Sequence, residues 1–224
     1  MTAERVADVC WSCGQTVNDL FCPRCGKLQL LHENYFRCLD WGPQLHIDAA
    51  DLELRFHDCS RKLHPDLYRR HTEAEQEISL QNTATLNAAY RTLKDPIQRL
   101  KYFISLIEGP SATPFSETYG LFDEILEVEG ELDRLRVSTD RQKARETLSL
   151  LQAKYVQCYS KTERALLERF PLWDAQLQND MPAGQKTQRC LSEMKQALSH
   201  QTYLRRIVEH IGTELEVALR ESVR

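Results

Sequence analysis

Pro65 decides what the first half of this chain can fold into, because helical patterns lie on either side of it and its ring does not let them merge. Proline holds its own φ near about −65° and drives the residue before it out of helical geometry, so a helix reaching Leu63 must stop there. The stretch Leu63-His64-Pro65-Asp66-Leu67-Tyr68 is therefore read as a short turn that projects its side chains outward. His64 can donate or accept a hydrogen bond near neutral pH, and an ionised Asp66 offers two acceptor oxygens suited to a guanidinium on another molecule. Such a turn is a docking surface and holds no nucleophile.

The flanking segments read as helices. Only 8 glycines and 8 prolines occur among 224 residues, which favours a mostly helical chain. Tyr35 to Leu39 reads as a short first helix, and Asp48 is a good N-cap for a second, along which Leu52, Phe56, Cys59 and Leu63 form one apolar stripe. Arg55, Arg61 and Lys62 fall on another face of that helix, placed to meet an acidic partner or simply to be solvated. A third helix is expected from about Glu73 to Lys94, antiparallel to the second, with Leu86, Tyr90 and Leu93 inward. Pro96 then opens a fourth carrying Arg99, Tyr102, Phe103 and Leu106.

Four of the eight cysteines crowd the start of the chain in two copies of one unit, Cys10-Trp-Ser-Cys13-Gly14 and Cys22-Pro-Arg-Cys25-Gly26. Two residues between thiols let the backbone turn so that both sulfurs face one point, and the following glycine permits a left-handed conformation. Four converging thiolates suit a closed tetrahedral Zn²⁺ site; an iron-bound or redox site and a pair of disulfides are the alternatives. A segment shorter than ~40 residues cannot build its own core, so a metal would supply much of its folding energy. The scattered Cys38, Cys59, Cys158 and Cys190 lie in helical patterns and read as buried core thiols.

Gly109 to Thr113, with Pro110 and Pro114, break the pattern before three further helices. Leu121, Ile125, Val128, Leu132 and Leu135 form the seam of the first. Ala144, Leu148, Leu151, Tyr155 and Cys158 run toward Leu166 in the second, and Leu204, Val208, Ile211, Leu215 and Ala218 face inward in the third. Phe122 and Leu126 sit off the first seam and Tyr203 off the last. The three would make an exposed apolar patch if those helices are neighbours in a three-helix bundle, unless they pack internally. The expected organisation is all-α: a zinc-ribbon-like domain over 1–31, a helical domain with the hairpin over 32–108, a linker over 109–116 and a three-helix domain over 117–224.

Several function classes recede. A net charge of −4 disfavours nucleic-acid backbone binding, which needs a basic face. No apolar run nears the ~18 residues of a membrane span, and Met1 to Asp8 show neither a signal-peptide core nor an Arg/Ser-rich transit pattern. The expectation is a cytoplasmic protein, with the mitochondrial matrix as alternative. The seven histidines are dispersed, and neither a glycine-rich phosphate loop nor a catalytic triad order is present, so a non-enzyme is expected.

Asn34-Tyr-Phe, the basic amphipathic helix, His64-Pro65-Asp66 and Asn87-Ala-Ala-Tyr90-Arg-Thr-Leu93-Lys-Asp-Pro96-Ile-Gln-Arg99 together resemble a J-domain in order and spacing. The whole chain resembles the HscB-type J-proteins of iron-sulfur cluster assembly, some of which carry an N-terminal tetracysteine unit. The resemblance implies that His64, Pro65 and Asp66, with Arg55, Arg61 and Lys62, dock on a DnaK/HscA-type ATPase chaperone. It further implies that Phe122, Leu126 and Tyr203 bind the iron-sulfur scaffold protein and that Cys10, Cys13, Cys22 and Cys25 hold structural zinc. Two positions depart from the family pattern: Leu67 stands where lysine is common, and Gly130 interrupts a helix where an acid is usual. A J-protein for another client and a zinc-ribbon nucleic-acid module with a helical dimerisation tail are the competing readings, and self-association into a homodimer is left open.

Overall fold

The computed structural model describes residues 8–109, 122–178 and 185–220, and the chain divides into two compact units, 1–103 and 104–224. In the first unit, β1 (Asp8–Val9) and β2 (Thr16–Val17) pair antiparallel with Val9 opposite Thr16, and an isolated bridge joins Phe21 to Leu28. The rest of this unit is helical. α1 spans Tyr35–Cys38, α2 Ala49–Leu63, α3 Pro65–Tyr68, α4 Glu73–Lys94, and α5 Pro96–Glu108, the last crossing the boundary between units.

Each boundary has a local cause. The Asn34 carboxamide accepts from the Phe36 amide at 3.0 Å, and Asp48 accepts from the Ala50 and Asp51 amides at 2.9 Å each, satisfying first-turn donors that a helix cannot pair internally. Thr72 and Glu75 form a capping box at the head of α4, and Asp95 accepts from Ile97 at 2.8 Å at the head of α5. The expected α2, α4 and α5 are present. The turn after Leu63, however, is itself one turn of helix, α3, with Pro65 at its first position, where a missing amide hydrogen costs nothing.

The core of the first unit gathers Phe36, Leu39, Leu52, Leu63, Leu86 and Leu93, all buried. Phe56 and Tyr90, expected inward, are half-buried and stack on each other with centroids 4.2 Å apart. α4 packs against α1, α2 and α3 and also receives the cysteine-rich segment. Buried Asn82 of α4 accepts from the Leu31 amide and donates to the Gln29 carbonyl, each at 2.8 Å, while Lys27 reaches Glu75 at 2.7 Å.

The second unit contains α6 (Phe122–Arg136), α7 (Arg141–Gln178) and α8 (Gln185–Arg220). Val128, Leu132, Leu148, Tyr155, Leu204 and Ile211 form a shared core, so the expected three-helix packing is present from Val128 of α6 onward. α7 and α8 run far beyond it. Their seams continue through Leu166, Phe170, Trp173 and Leu177 on one helix and Leu191, Met194 and Leu198 on the other, all buried. An ion pair and a histidine–carboxylate contact tie α6 to α8, with Arg136 2.6 Å from Glu214 and His210 2.9 Å from Glu129.

Two expectations are corrected here. Tyr203 is only 7% exposed and belongs to the core with Leu204 and Ile207; the inward face of α8 is wide enough to include it, because α8 meets both α6 and α7. Cys158, expected in the seam, is exposed, since Tyr159 takes the packed position next to it. Of the other scattered cysteines, Cys38 and Cys190 are buried and Cys59 is half-buried. Gly130 does not interrupt α6, which runs through it. The expected linker lies outside the described residues apart from Gly109, which adopts φ +74° at the end of α5.

Candidate docking turn and metal-binding knuckle

The turn between α2 and α4 is anchored from both sides. Leu63 is fully buried, and its carbonyl accepts from Ser79 Oγ at 2.6 Å and Thr83 Oγ1 at 3.3 Å, which fixes the end of α2 on α4. Tyr68 is buried at the other end of the turn and donates its hydroxyl to the Lys62 carbonyl at 2.9 Å. Between these anchors the Leu67 amide bonds to the His64 carbonyl at 3.0 Å, and His64 Nδ1 accepts from the Asp66 amide at 3.3 Å. His64 and Asp66 consequently face solvent with side chains 56% and 59% exposed.

The charges around the turn are unequal in their freedom. Arg69 holds one Asp66 oxygen at 2.6 Å, so a cation from a partner would have to displace or share that contact. Lys62 is exposed, and Arg61 is exposed beside an ion pair with Asp58. Arg55 is different: it lies over the Trp41 ring at 4.7 Å, bonds to the Leu39 and Asp40 carbonyls at 3.2 and 3.0 Å, and pairs with Asp51 at 3.1 Å. Its guanidinium braces the end of α1. Ser79, Thr83 and Tyr68, which make the turn rigid, carry no sequence signal of that role, because the partners of Ser79 and Thr83 are one helix away.

The cysteine-rich segment repeats one backbone geometry twice. The Cys10 amide bonds to the Gln15 carbonyl at 2.8 Å and the Gly14 amide to the Cys10 carbonyl at 3.0 Å; Cys22, Lys27 and Gly26 reproduce these bonds at 2.9 and 2.8 Å. Gly14 and Gly26 take φ of +71° and +70°, the left-handed turn that the two-residue spacing requires. The two turns bring Cys10 Sγ to 3.7 Å from Cys25 Sγ and Cys13 Sγ to 3.6 Å from Cys22 Sγ, with all four sulfurs within 4.8 Å of one another. A tetrahedron whose centre is about 2.3 Å from each sulfur has edges of about 3.8 Å. The donor set fits a metal ion, and none of the four sulfurs is bonded to another.

Electrostatics within the cluster favour a cation. Burial pushes the Cys10 thiol up, but the Ser12 and Cys13 amides and the thiols of Cys25 and Cys22 outweigh it and bring the group down to about 6. The Gln15 amide favours a Cys13 thiolate, yet burial and the three neighbouring thiols carry that group up to about 12. Thiols this close resist ionising together, and a central divalent ion removes the conflict.

Of the remaining sequence candidates, Leu126 lies on α6 with 57% exposure, apart from the core that holds Tyr203. Phe122 begins α6, and its side chain lies outside the described residues. No helix among the described residues is long and apolar enough to cross a membrane.

No family model matches the chain. It is 29% identical over 154 residues, 65% of its length and 64% of the relative's, to the Homo sapiens iron-sulfur cluster co-chaperone protein HscB. It is 35% identical over 125 residues, covering 54% of the chain and 71% of the relative, to the co-chaperone protein HscB homolog of Shewanella sp. (strain W3-18-1). With the homolog from Shewanella baltica (strain OS195) it shares 32% over 149 residues, 66% of the chain and 86% of the relative. The fold is similar to the crystal structure of human co-chaperone protein HscB, with TM-score 0.59 and 23% identity over 92% of this chain and 98% of the other. Chaperone HscB from Vibrio cholerae matches with TM-score 0.59 and 18% identity over 85% and 99%.

Proposed function

The chain belongs to the HscB co-chaperone family, and from that premise we propose that it stimulates ATP hydrolysis by a DnaK/HscA-type chaperone and delivers an iron-sulfur scaffold protein to it. The observation that carries the reading is the anchored turn, which presents His64 and Asp66 to solvent while buried Leu63 and Tyr68 hold its backbone. A rigid handle loses little conformational entropy on docking, so the interaction energy goes into favouring one chaperone state. Preferential binding to the hydrolysis-competent state shifts the chaperone's population and speeds ATP turnover, with the chemistry residing in the chaperone.

Asp66 supplies the carboxylate for a cation on that partner, exchanging its contact with Arg69, and exposed Arg61 and Lys62 meet acidic surface. Arg55 acts indirectly by holding α1 to α2. Leu126, with Phe122 a turn before it on α6, is the scaffold-binding face; Tyr203 has no part in it because it is buried. Holding scaffold and chaperone on one chain raises their effective concentration for each other. The knuckle's ion is zinc, in a structural role supported by the four-sulfur donor set, and the thiols require a compartment that keeps them reduced, the cytoplasm or the mitochondrial matrix.

The test is ATP turnover by a DnaK-type chaperone with and without the scaffold. Asp66→Asn should abolish stimulation while scaffold binding and helical content stay unchanged, and undiminished stimulation would remove the turn from the mechanism. Phe122→Ala with Leu126→Ala should weaken scaffold affinity by roughly 2–4 kcal/mol in calorimetry, the range of truncated hot spots, with ATPase stimulation in the scaffold's absence retained.

A further inference from the structure

We propose that a cleft in the second unit, where the end of α6, the start of α7 and the end of α8 meet, takes a segment of a partner polypeptide that presents an aliphatic side chain beside a carboxylate. The cleft has a volume of about 280 Å³, close to the lower limit of ordinary ligand pockets. Its floor is apolar, made by buried Leu132, Ala144 and Leu148, and half-exposed Val217 stands at its wall. Three arginines, Arg136, Arg141 and Arg145, also line it, against one acid, Glu214. That concentration of cations is local, since the chain as a whole carries −4.

The arginines do not share one role. Arg136 is committed to the fold, 2.6 Å from Glu214 and 2.8 Å from Asp133, an arrangement that holds the Glu214 carboxyl below its ordinary range. Arg145 Nε is buried with no hydrogen-bond partner among the described residues. Arg141 and Arg145 belong to the first two turns of α7, where the helix dipole adds positive potential. The Asp140 carboxylate is also near that end and accepts from the Lys143 amide at 3.0 Å, opposing part of this field. An apolar floor with arginine side chains beside it selects a ligand that is aliphatic at one end and anionic at the other. Leu126 is not among the lining residues, so failure of scaffold binding at that face would leave this proposal intact.

N-acetyl-leucine is a minimal probe, with N-acetyl-leucinamide as its uncharged counterpart and acetate as its anion without the side chain. Titrated into the full, metal-loaded chain and followed by heteronuclear NMR, N-acetyl-leucine should give saturable shifts confined to residues around 132–148 and 214–218. The amide and acetate should each bind at least tenfold more weakly. Arg145→Gln should lose a similar factor, and Lys161→Gln, farther along α7, should change nothing. If Arg145→Gln does not fold, Val217→Glu, which sets a carboxylate at the mouth from an exposed position, should abolish the shifts. Absence of saturable shifts, equal binding of amide or acetate, or unaltered binding by a folded Arg145→Gln or Val217→Glu protein would each overturn the proposal.

Discussion

Replacing Asn82 by leucine isolates the contact that seats the cysteine-rich segment on α4. Asn82 is 1% exposed, and its carboxamide makes two bonds at 2.8 Å, one from the Leu31 amide and one to the Gln29 carbonyl. Leucine is of similar size but satisfies neither group. An orphaned buried backbone group costs about 1–3 kcal/mol, so two cost roughly 2–6 kcal/mol. Burying the additional apolar surface returns about 1–2 kcal/mol, leaving a net loss of roughly 0–5 kcal/mol, centred near 2–3. The loss should localise: hydrogen exchange of residues 27–31 should accelerate by a factor of ~5 or more, and release of metal to a chelator should quicken. Urea unfolding followed by circular dichroism gives the global value. The control is Asn87→Leu, an exposed position on the same helix, which should stay within about 0.5 kcal/mol of the parent. If Asn82→Leu matches that control in stability and in metal release, the two bonds do not hold the segment in place.

Glu75 gives a pH-dependent counterpart. The Lys27 ammonium outweighs burial and, with Thr72 and His71, holds the Glu75 carboxyl at about 2, below its ordinary 4.5, so its contribution is complete above pH 4.5 and fades between pH 4.5 and 2. The stability gap between the parent and Glu75→Gln, read by denaturation at a series of pH values, should therefore narrow across that window; a constant gap would contradict the assignment. Gly130→Ala should stabilise α6 by about 0.5–1 kcal/mol in thermal unfolding, because a Cβ there meets open space and alanine loses less backbone entropy.

Local chemistry was legible without a structure. The Asp48 cap and the Pro65 and Pro96 boundaries depend on contacts within a few residues, and they fell where the residues placed them. The four-cysteine cluster was readable for the same reason, since two short turns bring each pair of sulfurs together before any long-range contact forms. Periodicity was less decisive over α7 and α8. The pattern named the shared core with α6, but it did not show that the two helices continue together past it. Tyr203 was misplaced because a helix touching two neighbours buries a wider arc than a single seam describes.

The amino-acid order by itself determined the longer helices of the first unit, where they begin and end, and that four thiols converge, because backbone sterics, capping and short loops act over a few residues. Only the folded chain decided that Arg55 is a brace while Arg61 and Lys62 are open, that Ser79 and Thr83 secure the docking turn, and that α4 carries the knuckle through Asn82 and Glu75. Those roles join residues far apart in sequence, and a side chain's availability depends on what the fold sets against it.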